Sequence, residues 1–265
     1  MLLRFEVGNH LSISEIQELS LVASNLKGCE TGLLSIPNAS ANRAVPAALL
    51  YGANASGKSN FVRAISFMRE AVLFSHSRGN PEGGVPRAPF ALDDEGNERP
   101  SHFEAEFVAG GSRYIFGFTC DDNSFLTEWL YSFPEGKRRK LYERNGKNVE
   151  FGSNMVGAKK ALVAFMRNNS LFISTATQND HEELSKIVAF FRDIQYSAAL
   201  AVSPATITNT FKEGQIDQRT ILFLSSTGTG VVGLDQREKE IPEQTRDRKS
   251  TRLNSSHSSV SRMPS

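Results

Sequence analysis

The sequence contains little cysteine, since Cys29 and Cys120 are the only two in 265 residues. One distant pair is neither a disulfide framework nor a set of metal ligands, so we expect buried thiols in a reducing compartment. Long apolar runs are also missing, and no stretch approaches the roughly 18 apolar residues of a membrane span. The N-terminus carries Arg4 and Glu6 and lacks the features of a secretory signal. We therefore expect a soluble, cytoplasmic protein with no membrane partner.

An excess of charge of either sign is missing as well. The chain has 30 Lys and Arg against 29 Asp and Glu, a net charge of +1. No overall field favours nucleic acid. The densest basic run, Lys137–Lys140 (KRRK), is either a contact for a nucleic-acid backbone or the solvated tip of a hairpin, which is the commoner case.

What the first third of the chain does contain is a strand–loop–helix pattern. Leu2–Val7 alternates and predicts a strand, whereas the apolar spacing of Glu15–Ala23 fits a strand or a short helix. The run Ala47–Tyr51 (AALLY) predicts a buried strand that ends in a glycine-rich turn. Lys58–Ser75 follows with apolar residues at spacings of three and four, which predicts an amphipathic helix.

The middle of the chain predicts antiparallel strands. Phe103–Val108 and Arg113–Thr119 flank Gly110-Gly111, a good hairpin turn, and Leu126–Phe133 and Lys140–Arg144 form a second hairpin. Later segments predict a helix, a short buried strand and another helix: Val156–Arg167, Leu171–Ser174 and His181–Arg192. The His181-Glu182-Glu183 cluster suits a helix start better than a metal site, because negative charge favours that end. The predicted fold class is α/β with an inserted antiparallel section and a partial helical region.

A phosphate-binding motif follows the predicted strand Ala47–Tyr51. Residues 52–59 read GANASGKS and match G-x-x-x-x-G-K-[ST]. The glycines allow backbone conformations that turn successive N–H groups toward a β-phosphate, and the start of the helix adds its positive end. The predicted nucleotide-binding residues are Gly52, Ala53, Asn54, Ala55, Ser56, Gly57, Lys58, Ser59 and Asn60.

Two side chains of this motif carry most of the chemistry. Lys58 reaches the β- and γ-phosphates, and the Ser59 hydroxyl fills one ligand position of Mg²⁺. The plain alternative is a glycine-rich turn with a surface lysine, which the strand and helix around the motif make less favourable. We predict Mg²⁺-ATP as the ligand, although the loop alone does not distinguish ATP from GTP.

Asn54 and Asn60 make the loop GANASGKSN, which resembles that of ABC-type ATPases of the SMC, RecF and OLD kind. Further segments resemble landmarks of bacterial AAA-family ATPases related to OLD proteins, over roughly residues 1–245: SLVASN, PFALD, FEAEF, RYIFGF, LTEWLYSFPEGKRRKLYER and LFISTATQND. The resemblance implies a P-loop NTPase fold, ATP hydrolysis, a head-to-tail homodimer around ATP, and a link to abortive infection and phage defence. The sequence leaves open whether an effector protein or nucleic acid is a further partner.

The resemblance also implies catalytic groups that the sequence supplies only in part. Gln178, after the predicted strand Leu171–Ser174, matches a glutamine that contacts Mg²⁺ and the attacking water; otherwise it is a polar loop residue. No later strand ends in Asp-Glu, and Thr227–Gly230 (TGTG) is better explained as a turn than as a signature motif. Asn9–Ile13 replaces a pattern that usually carries an arginine. We therefore expect nucleotide binding without appreciable turnover.

The C-terminal residues have an unusual composition. Asp247–His257 (DRKSTRLNSSH) matches one reading frame of a widely used sequencing-library adapter, whereas the alternative is a natural Ser-rich tail. We expect an incomplete ATP-binding domain over residues 1–246, without the Walker B and signature motifs, and an artefactual, disordered tail over 247–265.

Two rival functions remain open at this point. One is another P-loop enzyme, such as a nucleotide or small-molecule kinase, although no arginine-rich lid is apparent. The other is a nucleotide-gated interaction module that uses ATP to order a dimer or a partner surface without chemistry. Both rivals keep the phosphate loop, so all three functions predict that Lys58 contributes to nucleotide binding.

Overall fold

The computed structural model describes residues 1–24, 31–37, 43–54, 56–92, 96–153, 155, 157 and 159–195, with the backbone alone of 231–238 and 256–262. The chain divides into two compact units, Met1–Gln195 and Tyr196–Ser265. The domain boundary predicted at residue 246 falls within the second unit. Among the described residues, none of the helices combines the length and the apolar character that crossing a membrane requires.

The first unit is built on a seven-stranded sheet in which every neighbouring pair is antiparallel. Its spatial order is β2-β1-β5-β6-β7-β8-β9. The strands of this sheet are β1 Leu2–Gly8, β2 Gln17–Ser20, β5 Ser101–Ala109, β6 Ser112–Cys120, β7 Phe125–Ser132, β8 Arg139–Asn145 and β9 Asn148–Phe151. A separate short pair joins β3 Leu34–Ser35 to β4 Arg43–Ala44.

The two predicted hairpins are confirmed. Gly110 and Gly111 connect β5 to β6 at φ of +55° and +78°, the left-handed backbone that a tight two-residue hairpin turn requires. A short 3₁₀ turn, Pro134–Gly136, connects β7 to β8. The strand predicted at Leu2–Val7 is β1, and the ambiguous segment Glu15–Ala23 contains β2, so it is a strand rather than a helix.

Within the described part of the chain, four α-helices accompany this sheet: α1 Lys58–Phe74, α2 Lys159–Phe165, α3 Phe172–Gln178 and α4 Glu182–Asp193. Met68 and Val72 of α1 and Phe191 of α4 join the buried cluster under the sheet. The ring of Phe107 on β5 lies 5.2 Å from that of Phe191, edge to face, a favoured aromatic geometry. The alternation of strand residues thus places one apolar sheet face against the helices.

The opposite sheet face carries a row of side chains that crosses all seven strands. We call it the glutamate row because five of its seven positions are Glu. In spatial order it consists of Glu18, Glu6, Glu104, Gly117, Trp129, Glu143 and Glu150. Like charges on neighbouring strands destabilise a sheet. Lys140 offsets two of these charges, with Nζ 3.3 Å from Glu143 and 3.2 Å from Glu150.

Two predicted strands are wrong. Ala47–Tyr51 is exposed and does not form a strand. None of the described strands pairs with it, so its backbone N–H and C=O groups are left to hydrogen-bond with water. Leu171–Ser174 is buried as predicted, but it begins the helix α3. The fold class is therefore mixed α/β with a mostly antiparallel sheet.

A buried carboxylate explains why the second segment is helical. Glu128 of β7 is fully buried and accepts hydrogen bonds from the backbone N–H groups of Phe172 (2.6 Å) and Ile173 (3.0 Å). A carboxylate at this position satisfies first-turn donors and complements the positive end of the helix. Tyr142 donates to the same carboxylate at 2.7 Å, and the Arg144 guanidinium lies 3.5 Å away. Burial lowers the pKa of Arg144.

Three predicted helices are also confirmed. The helices predicted at Lys58–Ser75 and His181–Arg192 are α1 and α4, and the Val156–Arg167 helix is confirmed over α2. His181 caps α4 by accepting the N–H of Leu184 at 3.4 Å, with Glu182 and Glu183 in the first turn. Cys120 is buried, which raises the pKa of its thiol to about 12, whereas Cys29 lies outside the described residues.

In the second unit, the described residues are the backbone of two paired strands. β10 Val231–Glu238 pairs antiparallel with β11 Ser256–Arg262. The structure therefore assigns a strand to residues 256–262, where the composition predicts a disordered tail. The Thr227–Gly230 segment and the rest of residues 247–265 lie outside the described residues.

Candidate nucleotide-binding site

The phosphate loop turns into α1 at Gly57, and only glycine fits this position. Gly57 caps the helix with φ of +89°, in the left-handed region that side chains disfavour. A Cβ atom added there would lie 2.6 Å from the Oγ atom of Ser12. The second glycine of the motif is therefore required by the backbone angle and by the approach of the N-terminal loop.

The Lys58 side chain hydrogen-bonds to the loop that precedes α1. Its Nζ donates to the carbonyl oxygens of Gly52 at 2.8 Å and Ala53 at 2.6 Å. An ammonium group has three donors, so one remains after these two contacts. Because both acceptors are neutral carbonyls, a phosphate oxygen would compete with them favourably as a charged acceptor. Lys58 is thus held at the loop by bonds that an anion is able to replace.

The start of α1 offers unbonded donors and an uncompensated positive end. The N–H groups of Asn60 and Phe61 both turn back to the Gly57 carbonyl, at 2.9 and 3.3 Å. Those of Lys58 and Ser59 have no acceptor among the described residues, as first-turn donors usually do not. The first turn of α1 contains no Asp or Glu, so no carboxylate within it neutralises the helix dipole.

The other predicted loop residues are exposed. Ser59 is exposed, and its hydroxyl has no hydrogen bond with the part of the chain that the structure describes. Asn54 and Ser56 are exposed as well, whereas Ala55 lies outside the described residues. The Ser59 hydroxyl is therefore accessible to a cation, in the place where a phosphate on the loop would hold Mg²⁺.

Asn60 has a role that the motif alone does not indicate. Its amide donates to Ser12 Oγ at 2.8 Å, and its carbonyl oxygen accepts from Arg63 at 3.4 Å. Asn60 therefore fastens the N-terminal loop to α1. The sequence signal for this contact is weak, because Ser12 and Asn60 are far apart in the chain.

The N-terminal loop Asn9–Ile13, where the resemblance implies an arginine, is instead a compact turn. Asn9 and Leu11 have φ of +49° and +52°. The Asn9 amide donates to the carbonyl oxygens of Gly96 (2.8 Å) and Arg99 (2.6 Å), and its oxygen accepts the N–H of Phe90 at 2.9 Å. These bonds hold Ser12 against the phosphate loop.

A cleft of about 570 Å³ lies beside the loop. One wall is the N-terminal segment with Ile13, and the other includes Tyr51, Lys58 and Phe61. Glu15 and Glu18 add acidic groups to the lining. Its volume falls within the range of small-molecule sites, so the cleft is large enough to hold the base and sugar of a nucleotide whose phosphates lie on the loop.

The structure does not bring Gln178 to this loop. Gln178 is the exposed last residue of α3 rather than a residue after a strand. Ser174, one turn earlier, accepts the backbone N–H of His76 at 3.2 Å, just beyond the end of α1. Fifteen helical rises separate Ser59 from Phe74, the last residue of α1, about 22 Å, so Gln178 and Ser59 do not share a metal ion in this arrangement.

The basic run Lys137–Lys140 lies at the β7–β8 turn. The Arg138 guanidinium stacks over the ring of Tyr131, 3.7 Å from its centre, and Lys140 pairs with Glu143 and Glu150. Lys137 is exposed. This arrangement agrees with the solvated hairpin tip, because two of the four cations already contact side chains of the same sheet.

Comparison with known protein families matches residues 47–152 to the family described as "AAA domain, putative AbiEii toxin, Type IV TA system". No curated protein matches the chain. The matched segment includes the phosphate loop, α1 and strands β5 to β9. This match supports a P-loop, AAA-type ATPase-like domain that includes residues 47–152.

Proposed function

We propose that the chain binds Mg²⁺-ATP at Gly52–Ser59. The observation that carries this proposal is the left-handed Gly57 cap, which begins a helix whose first two N–H groups, those of Lys58 and Ser59, have no acceptor among the described residues. This is the arrangement that favours an anion at a helix N-terminus. Lys58 supplies a positive charge beside the same donors.

The residues present fit both parts of the ligand. The phosphates would rest on the first-turn N–H groups with Lys58 beside them, and Ser59 would offer its hydroxyl to Mg²⁺. Bound Mg²⁺ would neutralise charge on the phosphate oxygens. The base and ribose would enter the cleft beside Tyr51 and Ile13.

Titration calorimetry with ATP and Mg²⁺ tests the proposal. We expect Lys58→Ala to weaken binding at least about tenfold, because a charged hydrogen bond to phosphate is lost. Lys137→Ala is the matched control, since it removes the same charge from the exposed hairpin tip. Unchanged affinity in Lys58→Ala would overturn the proposal, as would equal losses in both variants. Competition with GTP measures the preference for the base.

ATPases of the OLD, RecF and SMC kind hydrolyse the ATP that they bind. Lys58 would stabilise charge on the transferred phosphoryl group. We propose that this chain binds ATP with little turnover, because the groups that activate water and complete the metal site are not recognised in it. Phosphate release well above the background of Lys58→Ala would contradict this part. A role in abortive infection agrees with the toxin–antitoxin wording of the matched family.

A second candidate, a nucleotide-gated interaction module, is favoured by exposed apolar side chains beside the loop. Leu49 is 90% exposed and Tyr51 94%, while Val62 on α1 is 42% exposed. Contiguous exposed apolar residues are typical of interaction surfaces. The proposed partner is a second copy of the chain, assembled when ATP binds.

Sedimentation with and without ATP tests this second candidate. We expect ATP to promote dimers and Leu49→Ser to prevent them. Leu92→Ser is the control, since Leu92 is 86% exposed and does not line the nucleotide cleft. A monomer at every nucleotide concentration would contradict the proposed dimer. Calorimetry would still decide separately whether the chain binds ATP.

A further inference from the structure

The cleft beside the phosphate loop also includes residues of the edge strand β2, and the register of that strand decides which of them face it. Gln17 pairs with Val7 of β1, and side chains paired across antiparallel strands lie on the same sheet face. Phe5 shares this face, since alternate residues of a strand do. The Phe5 ring meets that of Phe61 on α1 edge to face at 5.5 Å. Gln17 therefore lies on the sheet face that α1 and the phosphate loop cover.

Gln17 differs from the acidic residues of this lining, because each of those has a partner. Glu15 lies 3.2 Å from Arg99, and Glu18 lies 4.0 Å from Arg4. Glu18 also belongs to the glutamate row on the opposite sheet face, so it borders the cleft only at the rim. Gln17 is exposed, and its side chain makes no hydrogen bond with the described part of the chain. Its amide is thus available to a ligand.

Apolar side chains complete the lining beside Gln17. Ile13, Leu19 and Phe61 border the cleft and offer contact surface to a flat ring. Small-molecule sites typically combine apolar walls with a few polar groups that fix the orientation of the ligand. Lys58 borders the same cleft, so one ligand is able to place its phosphates on the loop and a ring beside Gln17.

The chemistry of a side-chain amide favours one purine over the other. The amide of Gln17 carries a carbonyl acceptor beside an NH₂ donor. Adenine presents a matching pair on one edge, the N6 amino group as donor and N7 as acceptor, and glutamine is a bidentate partner for that edge. Guanine presents two acceptors there, O6 and N7, so the amide carbonyl would face an oxygen or a nitrogen without a proton between them.

We propose that Gln17 recognises adenine in the bound nucleotide. Its carbonyl would accept from the N6 amino group, and its NH₂ group would donate to N7. The inference rests on the proposed binding of a nucleotide at Gly52–Ser59 and adds the residue that selects the base. Gln17 takes no part in holding the phosphates, so the affinity common to all nucleoside triphosphates stays with the loop.

Titration calorimetry with ATP, GTP and 7-deaza-ATP, each with Mg²⁺, tests the inference. 7-Deaza-ATP has the shape of ATP but carries a C–H group in place of N7. We expect ATP to bind at least about fivefold more tightly than either analogue, the lower end of what a bidentate base contact provides. Equal affinities for the three would overturn the role of Gln17 and leave the proposed function standing, whereas no binding of any of them would overturn both.

Variants of Gln17 assign the preference to this residue. Gln17→Leu removes the amide, and Gln17→Glu leaves a carboxylate that has no proton to donate to N7. We expect both variants to bind ATP and 7-deaza-ATP equally. Glu18→Leu, on the opposite sheet face, is the control and should keep the preference for ATP.

The result is a ratio of two affinities on the same protein, so a general loss of stability or of phosphate binding does not imitate it. Gln17 is exposed on an edge strand, where substitutions have small effects on stability. A preference for ATP over 7-deaza-ATP that survives in both Gln17 variants would refute the assignment, as would its loss in Glu18→Leu.

Discussion

Trp129 Nε1 donates a hydrogen bond to Glu104 Oε2 at 2.7 Å, across the strand that lies between them. That intervening strand, β6, carries Gly117 at the same level of the glutamate row. A Cβ atom added to Gly117 would lie 2.4 Å from the indole ring. The absence of a side chain on β6 therefore lets the indole extend from β7 to β5.

Gly117→Ala should displace this indole. We expect a loss of unfolding free energy of about 1–3 kcal/mol, because a methyl group would be forced into a packed contact. Urea unfolding followed by far-UV circular dichroism measures it, because Trp129 is the one Trp of the chain and is absent from the second background. In a Trp129→Leu background the same substitution should cost less. Equal costs in the two backgrounds would contradict the proposed contact.

Glu104 should make stability depend on pH. Burial raises the pKa of its carboxyl above 4.5, with Glu6 and Glu106 contributing and Trp129 opposing. Because the folded-state pKa is raised, the protonated carboxyl contributes to the stability of the fold. This contribution is fully present below the unfolded-state pKa and is lost as the pH rises through the folded-state pKa. Glu104→Gln keeps an acceptor for Trp129 and should raise the melting temperature at pH 7, with a smaller gain near pH 4. Glu150→Gln, which is 77% exposed on its side chain, is the control. A variant less stable than the parent at pH 7 would be contrary evidence.

His10 should make the stability of the fold fall as the pH falls, which is the opposite of the dependence expected from Glu104. It is 3% exposed between the rings of Phe67 and Phe103, and burial lowers its pKa from 6.5 to about 4. A lowered folded-state pKa stabilises the fold above pH 6.5, and this contribution declines between pH 6.5 and 4. His10→Phe should therefore lose less stability than the parent on acidification, by up to about 3 kcal/mol. Urea unfolding at pH 7 and pH 4.5 provides the comparison, and parallel losses would show that His10 is not responsible.

Glu128→Ala should unfold α3 as well as break an ion pair. It removes the acceptor of the Phe172 and Ile173 N–H groups and leaves the buried Arg144 without its carboxylate. We expect a cost of about 3–5 kcal/mol, the usual range when one partner of a buried pair is removed. The rate of amide hydrogen exchange should increase most over residues 172–178. Glu135→Ala, at the exposed 3₁₀ turn, should have little effect. Protected amides in α3 of Glu128→Ala would rule out the capping role.

The elements that the sequence predicts well are those with short-range signals. α1 follows from apolar residues at helical spacing, and the β5–β6 hairpin follows from Gly110-Gly111 between alternating segments. The phosphate loop belongs to the same class, because Gly57 and Lys58 act within a few residues of each other. Each depends on neighbours in the chain, so the local pattern contains the necessary information.

The two strand predictions that are wrong show the limit of these short-range signals. Leu171–Ser174 has the apolar character of a strand, but the Glu128 carboxylate, 44 residues from Phe172 in the chain, satisfies the first donors of a helix there. Ala47–Tyr51 has the composition of a strand and no described partner to pair with. Apolar character indicates burial, whereas the choice between strand and helix depends on which distant group receives the hydrogen bonds.

The sequence by itself determined the chemistry of the loop: a left-handed glycine, a lysine and a hydroxyl at the start of a helix. Only the tertiary structure decided that Ser12 lies against Gly57, that Gln178 is remote from Ser59, and that seven strands align their residues into the glutamate row. Local chemistry follows from backbone angles and neighbouring side chains. Strand register and helix packing depend on pairing between segments far apart in the chain, which no local pattern specifies.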